Sequence, residues 1–357
     1  MTLDDVVQRA LDAHRAGQVE QADRLYRCVL ALVPCHAPVL LNRAQLCERR
    51  GAWDEAITLY GRVAKLAPGL ALPATRRSLL RIRRAIGPPP APKARDAMTG
   101  RVAMTSLGAN GRFGNQLLQY GFLRLYGETH GLRVEAPDWI GRDLFGFDDP
   151  LPGSGLRGMR EDEADLIASL TGESRDIHRD ADFWGYFCGP TGRWARHRDR
   201  FRSLFRWHGA VAATAAALQV RLDEAGGALV AIHLRRGDFV SDGHWIPPDS
   251  WYRDWLAAIW PTLDHPRLYV ASDDPATAAG FADFAPLTEA DLVPPPPGAE
   301  FLTDFLVLTR AHRLAVSNSS FSFTAAMLND RCGGFARPDP ARGALVPFDP
   351  WDAPVLL

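Results

Sequence analysis

Lysine is almost missing from this chain: of its 41 basic residues only Lys65 and Lys93 are lysines, and the rest are arginines. A charge of one sign is missing too. The 41 basic residues face 42 acidic ones, for a formal net charge of −1, which argues against a nucleic-acid or polybasic membrane binder and leaves only local basic patches. Cysteine is sparse and unordered; the five are an odd number, scattered, without CxxC spacing, so neither a disulfide framework nor a zinc site is expected. No stretch approaches the roughly 20 apolar residues of a membrane span. The opening "MTLDDVVQRALDAHRAG" reads as a charged amphipathic helix without a signal-peptide core, so a cytoplasmic protein is expected. HExxH, GxSxG and an ordered Ser-His-Asp set are absent as well, which removes support for the common hydrolase chemistries.

What is present begins with a repeat. Gly17, Ala22, Tyr26 and Pro34 recur 34 residues on as Gly51, Ala56, Tyr60 and Pro68. Glycine frees the inter-helix turn, alanine lets helices approach, and proline stops the second helix. This period and pattern resemble the tetratricopeptide repeat, which implies an all-α scaffold over residues 1–86. The helix around "LPATRRSLLRIRRAI" is then a cap with a solvated, Arg-rich face. "GPPPAPKARDAMTG" (87–100) reads as a stiff linker. From Arg101 onward short apolar runs alternate with helical stretches: "RVAMTSL", "NQLLQYGFLRLYGETHG", "ALVAIHL", "PDSWYRDWLAAIW", "RLYVAS". That is the grammar of parallel α/β sheets, with ligands at the carboxyl ends of the strands. The length suits two sheets facing a cleft, divided as 101–225 and 226–357.

Four stretches carry candidate chemistry. "GANGRFGNQ" (108–116) is a glycine-rich turn into a helix: either a tight turn, or a place where backbone N–H groups and the helix dipole meet phosphate. It lacks the Lys-Ser/Thr of a P-loop. In "IHLRRGDF" (232–239) Arg235 and Arg236 leave a buried strand in succession, with His233 before them. Their side chains should diverge, one to the cleft and one to a local partner such as Asp238, so that an anion site competes with two structural salt bridges. Asp273 and Asp274 in "YVASDDP" read as a helix cap more readily than as metal ligands. "SNSSFSF" (317–323) places Ser319 and Ser320 at a helix start, as a cap or a phosphate cradle. Asp304, read as lying ahead of a helix, is a cap or a base-recognition group.

In order and spacing, "GRFGNQLLQY", "IHLRRGDF", "YVASDD" and "DFLVLTRAHRLAVSNSSFSFTAAML" resemble the α-1,2-fucosyltransferase family over about residues 101–330. "FWGYFCGP" resembles its G-Y-F/W segment, with Cys188 where that family often has Gln. H-x-R-R-x-D is shared with α-1,6- and protein O-fucosyltransferases, so it speaks to fucosyl transfer rather than linkage. The resemblance implies a GT-B fold of two Rossmann-like halves and GDP-fucose as donor without a metal. It implies catalytic roles for Arg235, Arg236 and Asn115. Donor contacts would come from His233, Asp238, Gly111, Gly114, Asp304, Ser319, Ser320 and Phe321. Asp238 and His244 are the candidate general bases. The acceptor would be a glycan, most simply a galactose-terminated one, and the repeats would serve a homo-oligomer or a protein partner. Another fucose linkage, another nucleotide sugar, or an inactive transferase-like domain on a repeat scaffold stay open as alternatives.

Overall fold

In this computed structural model the described residues are 2–93, 100–237 and 245–357. They fall into two compact units, Met1–Pro88 with Pro297–Ala299, and the remainder.

The first unit is helical. It contains α1 (Leu3–Arg15), α2 (Val19–Leu32), α3 (Ala37–Arg49), α4 (Trp53–Leu66) and α5 (Ala71–Ile86). A reciprocal capping box starts α1, with the Asp5 N–H donating to Thr2 Oγ1 at 3.2 Å and the Thr2 N–H to Asp5 Oδ2 at 2.7 Å. Gly17 and Gly51 make the same turn in the two repeats, at φ +71° and +76°. Ala22, Ala56, Tyr26 and Tyr60 are all buried. Each tyrosine hydroxyl is anchored on the preceding helix at equivalent positions: Tyr26 on His14 Nδ1 at 2.9 Å, Tyr60 on Glu48 Oε2 at 2.6 Å. Between the repeats lies a charged cluster that periodicity does not reveal. Buried Asp23 accepts from Arg43 (2.9 Å) and Arg50 (3.3 Å), and both arginines also reach Glu55. The arginines of α5 are not simply solvated: Arg76 binds Glu48, Arg84 pairs with Asp54, and Arg83 is buried.

The second unit holds two α/β halves. The N-terminal sheet runs β2-β1-β4-β3, all parallel, from β1 (Arg101–Ala103), β2 (Arg133–Glu135), β3 (Arg157–Arg160) and β4 (Ala181–Trp184). Its helices are α6 (Phe113–His130), α7 (Ile140–Phe145), α8 (Leu166–Thr171) and α9 (Arg198–Leu204); α10 (Gly209–Glu224) follows and bonds to the C-terminal half, Arg221 donating to the Asp291 carbonyl at 2.8 Å and the Leu222 carbonyl accepting from Arg267 at 2.8 Å. The C-terminal sheet runs β6-β5-β7-β8-β9, from β5 (Leu229–Leu234), β6 (Arg267–Ser272), β7 (Arg313–Ala315), β8 (Phe335–Asp339) and β9 (Ala344–Pro347). It is parallel except for the β8–β9 pair. Its helices include α11 (Asp249–Ile259), α12 (Phe301–Leu308) and α13 (Ser320–Leu328). Two doubly wound parallel halves after an all-α region are the architecture expected from the sequence.

Every residue of β5 is buried, because it lies between β6 and β7 and is covered by apolar side chains such as Tyr252 and Leu256 of α11. The strand order places β5 beside β7, where the connections leave in opposite directions. That is the topological switch point, at whose carboxyl side ligands bind in open α/β sheets. The chain's last residues return to the N-terminal half: Thr191 Oγ1 donates to the Ala353 carbonyl at 3.0 Å, and Trp351 packs edge-on against Phe201 at 5.5 Å. Among the described residues no helix is long and apolar enough to cross a membrane.

Candidate functional site

The switch point is occupied by the two motifs the sequence singled out. β5 runs into Arg235 and Arg236, and β7 runs into Ser317, Asn318 and Ser319. The β5–β6 register pairs His233 with Ala271 and Leu234 with Ser272, which brings Asp273 level with Arg235. Asp273 Oδ2 lies 3.0 Å from Arg235 Nη1, while its Oδ1 accepts the Arg236 backbone N–H at 2.7 Å. One carboxylate therefore fixes both the first guanidinium and the turn that carries the second. The Arg236 guanidinium donates to Asp249, in the first turn of α11, and to the Arg235 carbonyl at 3.0 Å.

The two arginines do diverge, and each has a carboxylate partner on another element. Asp249 was not foreseen, and Asp238 and His244 lie outside the described residues. The neighbouring aspartates divide their work. Asp274 caps the turn that follows by accepting the Ala276 N–H at 3.1 Å, whereas Asp273 belongs to the arginines.

His233 is buried beneath this turn, with Nδ1 2.8 Å from Ser317 Oγ and its ring 5.4 Å from that of Phe321. Burial, reinforced by the charges of Arg235 and Arg236, lowers its pKa to about 3, so the imidazole is neutral at neutral pH and hydrogen-bonds as a fixed dipole. Ser319 is the N-cap of α13, its hydroxyl accepting from the Phe321 N–H at 3.3 Å. Ser320 and Phe321 open that helix. Asp304 lies within the first turns of α12 rather than ahead of it. Its Oδ1 accepts the Tyr269 hydroxyl at 2.5 Å. Burial raises its pKa to about 6; the Tyr269 bond opposes that shift and the Asp273 charge adds to it.

The glycine-rich turn of the other half meets this site directly. A Cβ on Gly114 would stand 2.5 Å from the Phe321 nitrogen and 2.6 Å from the Ser320 carbonyl oxygen. The close approach that Gly114 allows is thus between the first turn of α6 and the first turn of α13. Gly111 has φ +78°, and a Cβ there would press on Asn115. Phe113 seals the contact, with its ring 4.9 Å from Phe301 and 5.0 Å from Phe305. Asn115 Oδ1 is 3.7 Å from Cys188 Sγ, and burial, then the charge of Glu161, pushes that thiol up to about 12.

Beside these contacts Ser106 Oγ, Asn110 Nδ2 and Gln116 Oε1 are buried without a hydrogen-bond partner among the described residues. His233, Phe321 and Gly114 are thereby linked by contact, with Ser319 capping the same helix, while Arg235 and Arg236 follow His233 out of β5 and Asn115 follows Gly114 in α6. Asp304 joins through β6, the strand that carries Tyr269 and leads to Asp273. Ser317 and Tyr269 stand first in "SNSSFSF" and "YVASDDP", but their roles as partners of His233 and Asp304 depend on tertiary contacts that those motifs do not carry. Such a site can bind a diphosphate with guanidiniums and two helix N-termini, and a base with a carboxylate.

A scan against protein-family models and a search of curated proteins return no match for this chain. Among solved structures, a NodZ α-1,6-fucosyltransferase co-crystallised with GDP is similar at 16% identity and a TM-score of 0.46, over 70% of this chain and 99% of that one. A mutant of the O-GlcNAc transferase of Thermobaculum terrenum is similar at 14% identity and a TM-score of 0.22, over 92% of this chain and 84% of that one.

Proposed function

We propose that this protein is an inverting, metal-independent glycosyltransferase that moves fucose from GDP-fucose to a hydroxyl of an acceptor glycan, with the 2-hydroxyl of galactose as the favoured target. One observation carries the reading. Arg235 and His233 at the end of β5 and the Ser319–Phe321 helix start after β7 flank the switch point of the C-terminal sheet, and the Gly114 turn of the other half packs directly on Ser320 and Phe321. Arg235 is assigned to the donor diphosphate, exchanging its Asp273 partner for a β-phosphate oxygen. Arg236 holds the turn through Asp249. Ser319, Ser320 and the Phe321 N–H contribute the helix-end cradle. Asp304 takes guanine donors, neutral His233 supports Ser317 beneath the base, and Gly111 and Asn115 border the sugar.

In the transfer, the bond from the fucose anomeric carbon to the β-phosphate oxygen breaks while the acceptor oxygen bonds to that carbon from the opposite face. β-Linked donor becomes α-linked product. The acceptor proton passes to a base, for which Asp238 and His244 are the candidates. Negative charge gathers on the leaving diphosphate, and a guanidinium about 4 Å away contributes roughly 4 kcal/mol at an effective dielectric near 20. That charge does the work a divalent cation does in other transferases.

Thermal unfolding in excess EDTA tests the donor. GDP and GDP-fucose should raise Tm at concentrations above their Kd, and UDP should do far less. Equal shifts with UDP and GDP would sink the guanine assignment. A GDP shift that disappears in EDTA and returns with manganese would bring back a metal.

A further inference from the structure

β4 and the residues that follow it are given no role in donor binding, yet they are built with care. Burial alternates along them: Ala181, Phe183, Gly185 and Phe187 are buried, while Asp182, Trp184 and Tyr186 face outward. Trp184 is 36% and Tyr186 40% exposed, although Trp139, Trp194 and Trp351 are fully buried. The two exposed rings meet edge to face at 6.1 Å, and the Arg160 guanidinium lies 4.0 Å over one face of the indole.

The backbone beneath them is pinned. Glu161 Oε2 accepts the N–H groups of Tyr186 and Phe187, both at 2.9 Å, and Gln119 donates to the Gly185 carbonyl at 2.9 Å. A Cβ on Gly185 would stand 2.5 Å from the Glu161 carboxylate. The segment leaves the carboxyl end of β4, next to β1, whose own exit is the glycine-rich turn. Two residues beyond Tyr186, Cys188 reaches Asn115 at the start of α6. The residues next along the chain, Gly189 and Pro190, border an open cleft of about 390 Å³ together with Glu161, Asp165 and Arg193, a volume within the range of small-molecule sites.

We propose that Trp184 and Tyr186 form the acceptor subsite, on which a pyranose ring of the acceptor glycan lies flat. This inference rests on the glycosyl-transfer reading and adds where the acceptor binds. Sugar C–H bonds carry partial positive charge and stack on the negative face of an aromatic ring. A β-galactoside suits this best, because its axial 4-hydroxyl leaves three C–H groups together on the opposite face. The sugar's edge hydroxyls then meet groups of both kinds in the cleft: carboxylates that accept and a guanidinium that donates.

The test titrates lactose into the full chain with saturating GDP, by calorimetry, for the wild type and for Trp184→Ala, Trp184→Phe and Tyr186→Ala. Trp184→Ala should weaken lactose binding about tenfold, Trp184→Phe less, and Tyr186→Ala by a few-fold. GDP affinity should stay the same throughout. Lactose binding that is absent from the wild type, or equal in wild type, Trp184→Ala and Tyr186→Ala, overturns the proposal. So does loss of GDP affinity in Trp184→Ala, which would make the rings a nucleotide platform. Failure of the donor reading is seen separately, as a wild type that binds lactose but not GDP.

Discussion

Glycine does two different jobs in the two units. In the helical unit Gly17 and Gly51 sit at φ +71° and +76°, with nothing within 4 Å of where a Cβ would stand. There the residue is used for a backbone conformation that other residues adopt with strain. In the α/β unit Gly114 is an ordinary helical residue, but a Cβ would stand 2.5 Å from the backbone of Ser320 and Phe321. It is used for space. A conformational glycine acts within its own turn and recurs with its repeat, whereas a contact glycine depends on a segment some 200 residues away in sequence.

The largest effect on stability should therefore follow Gly114→Ala. The added methyl meets main chain, which cannot swing aside, so the first turns of α6 and α13 must separate. Overpacking of this kind costs about 1–3 kcal/mol, measurable by denaturant unfolding. GDP affinity should fall by at least about tenfold, because the separated turn is the one assigned to the donor diphosphate. Wild-type stability and affinity in this variant would show that the two halves do not meet here.

Arg235→Ala tests the other side of the same site, and its effect belongs to turnover more than to stability. Loss of a preorganised charge stabiliser lowers kcat by about 10²–10³-fold, and Arg235→Lys should restore little, since a point charge cannot reproduce a fork. Fold stability should hardly change, because Asp273 keeps its bond from the Arg236 N–H. A variant with near-wild-type turnover would assign Arg235 to structure alone.

Asp304 separates the base end of the site from the phosphate end. Its pKa of about 6 lies above the ordinary 3.8, so the folded protein holds this proton more tightly than the unfolded chain does. Its contribution to stability is therefore present below about pH 4 and is lost as pH rises toward 6. Base recognition runs the other way, since the carboxylate accepts from guanine more strongly than the protonated acid, which presents one oxygen as a donor. Guanosine, which has no group titrating in that window, should bind about tenfold more tightly at pH 7 than at pH 5, and Asp304→Asn should flatten the profile. His233 titrates far below the window and does not confuse it. A flat wild-type profile would remove Asp304 from base recognition.

These residues also mark how much was legible beforehand. The repeat was, because Ala22, Tyr26 and their partners recur at one offset and land in one kind of environment. The parallel α/β halves were, because buried strands and helices alternate along the chain. The arginine pair stood out as a motif, but its partners did not: Asp273 reaches Arg235 only through the β5–β6 register, and Asp249 reaches Arg236 only through the packing of α11. Local spacing holds no trace of which strands pair. Asp304 is of a residue type that favours the cap ahead of a helix, yet it sits inside "FLTDFLVL", where tertiary burial against Tyr269 decides its place. Gly114 was seen as a glycine that lets something come close. The neighbour is peptide backbone, a distinction only the meeting of the two halves can make.

The smallest effect is expected at Gly51→Ala, and it sharpens the contrast with Gly114. The new methyl meets nothing within 4 Å, so its cost is that of holding alanine at positive φ, roughly 1–2 kcal/mol, partly offset by the lower entropy of the unfolded chain. Denaturant unfolding should show a loss of about 1 kcal/mol in the transition of the helical unit. GDP affinity should be unchanged, since Gly51 belongs to the compact unit that excludes Arg235, His233 and Ser319. A paired Gly17→Ala should cost about as much, because both turns have the same φ and the same open space. If Gly51→Ala instead abolishes GDP binding in a chain that is still folded, the helical repeats help build the donor site, and the separation of conformational from contact glycine between the two units fails.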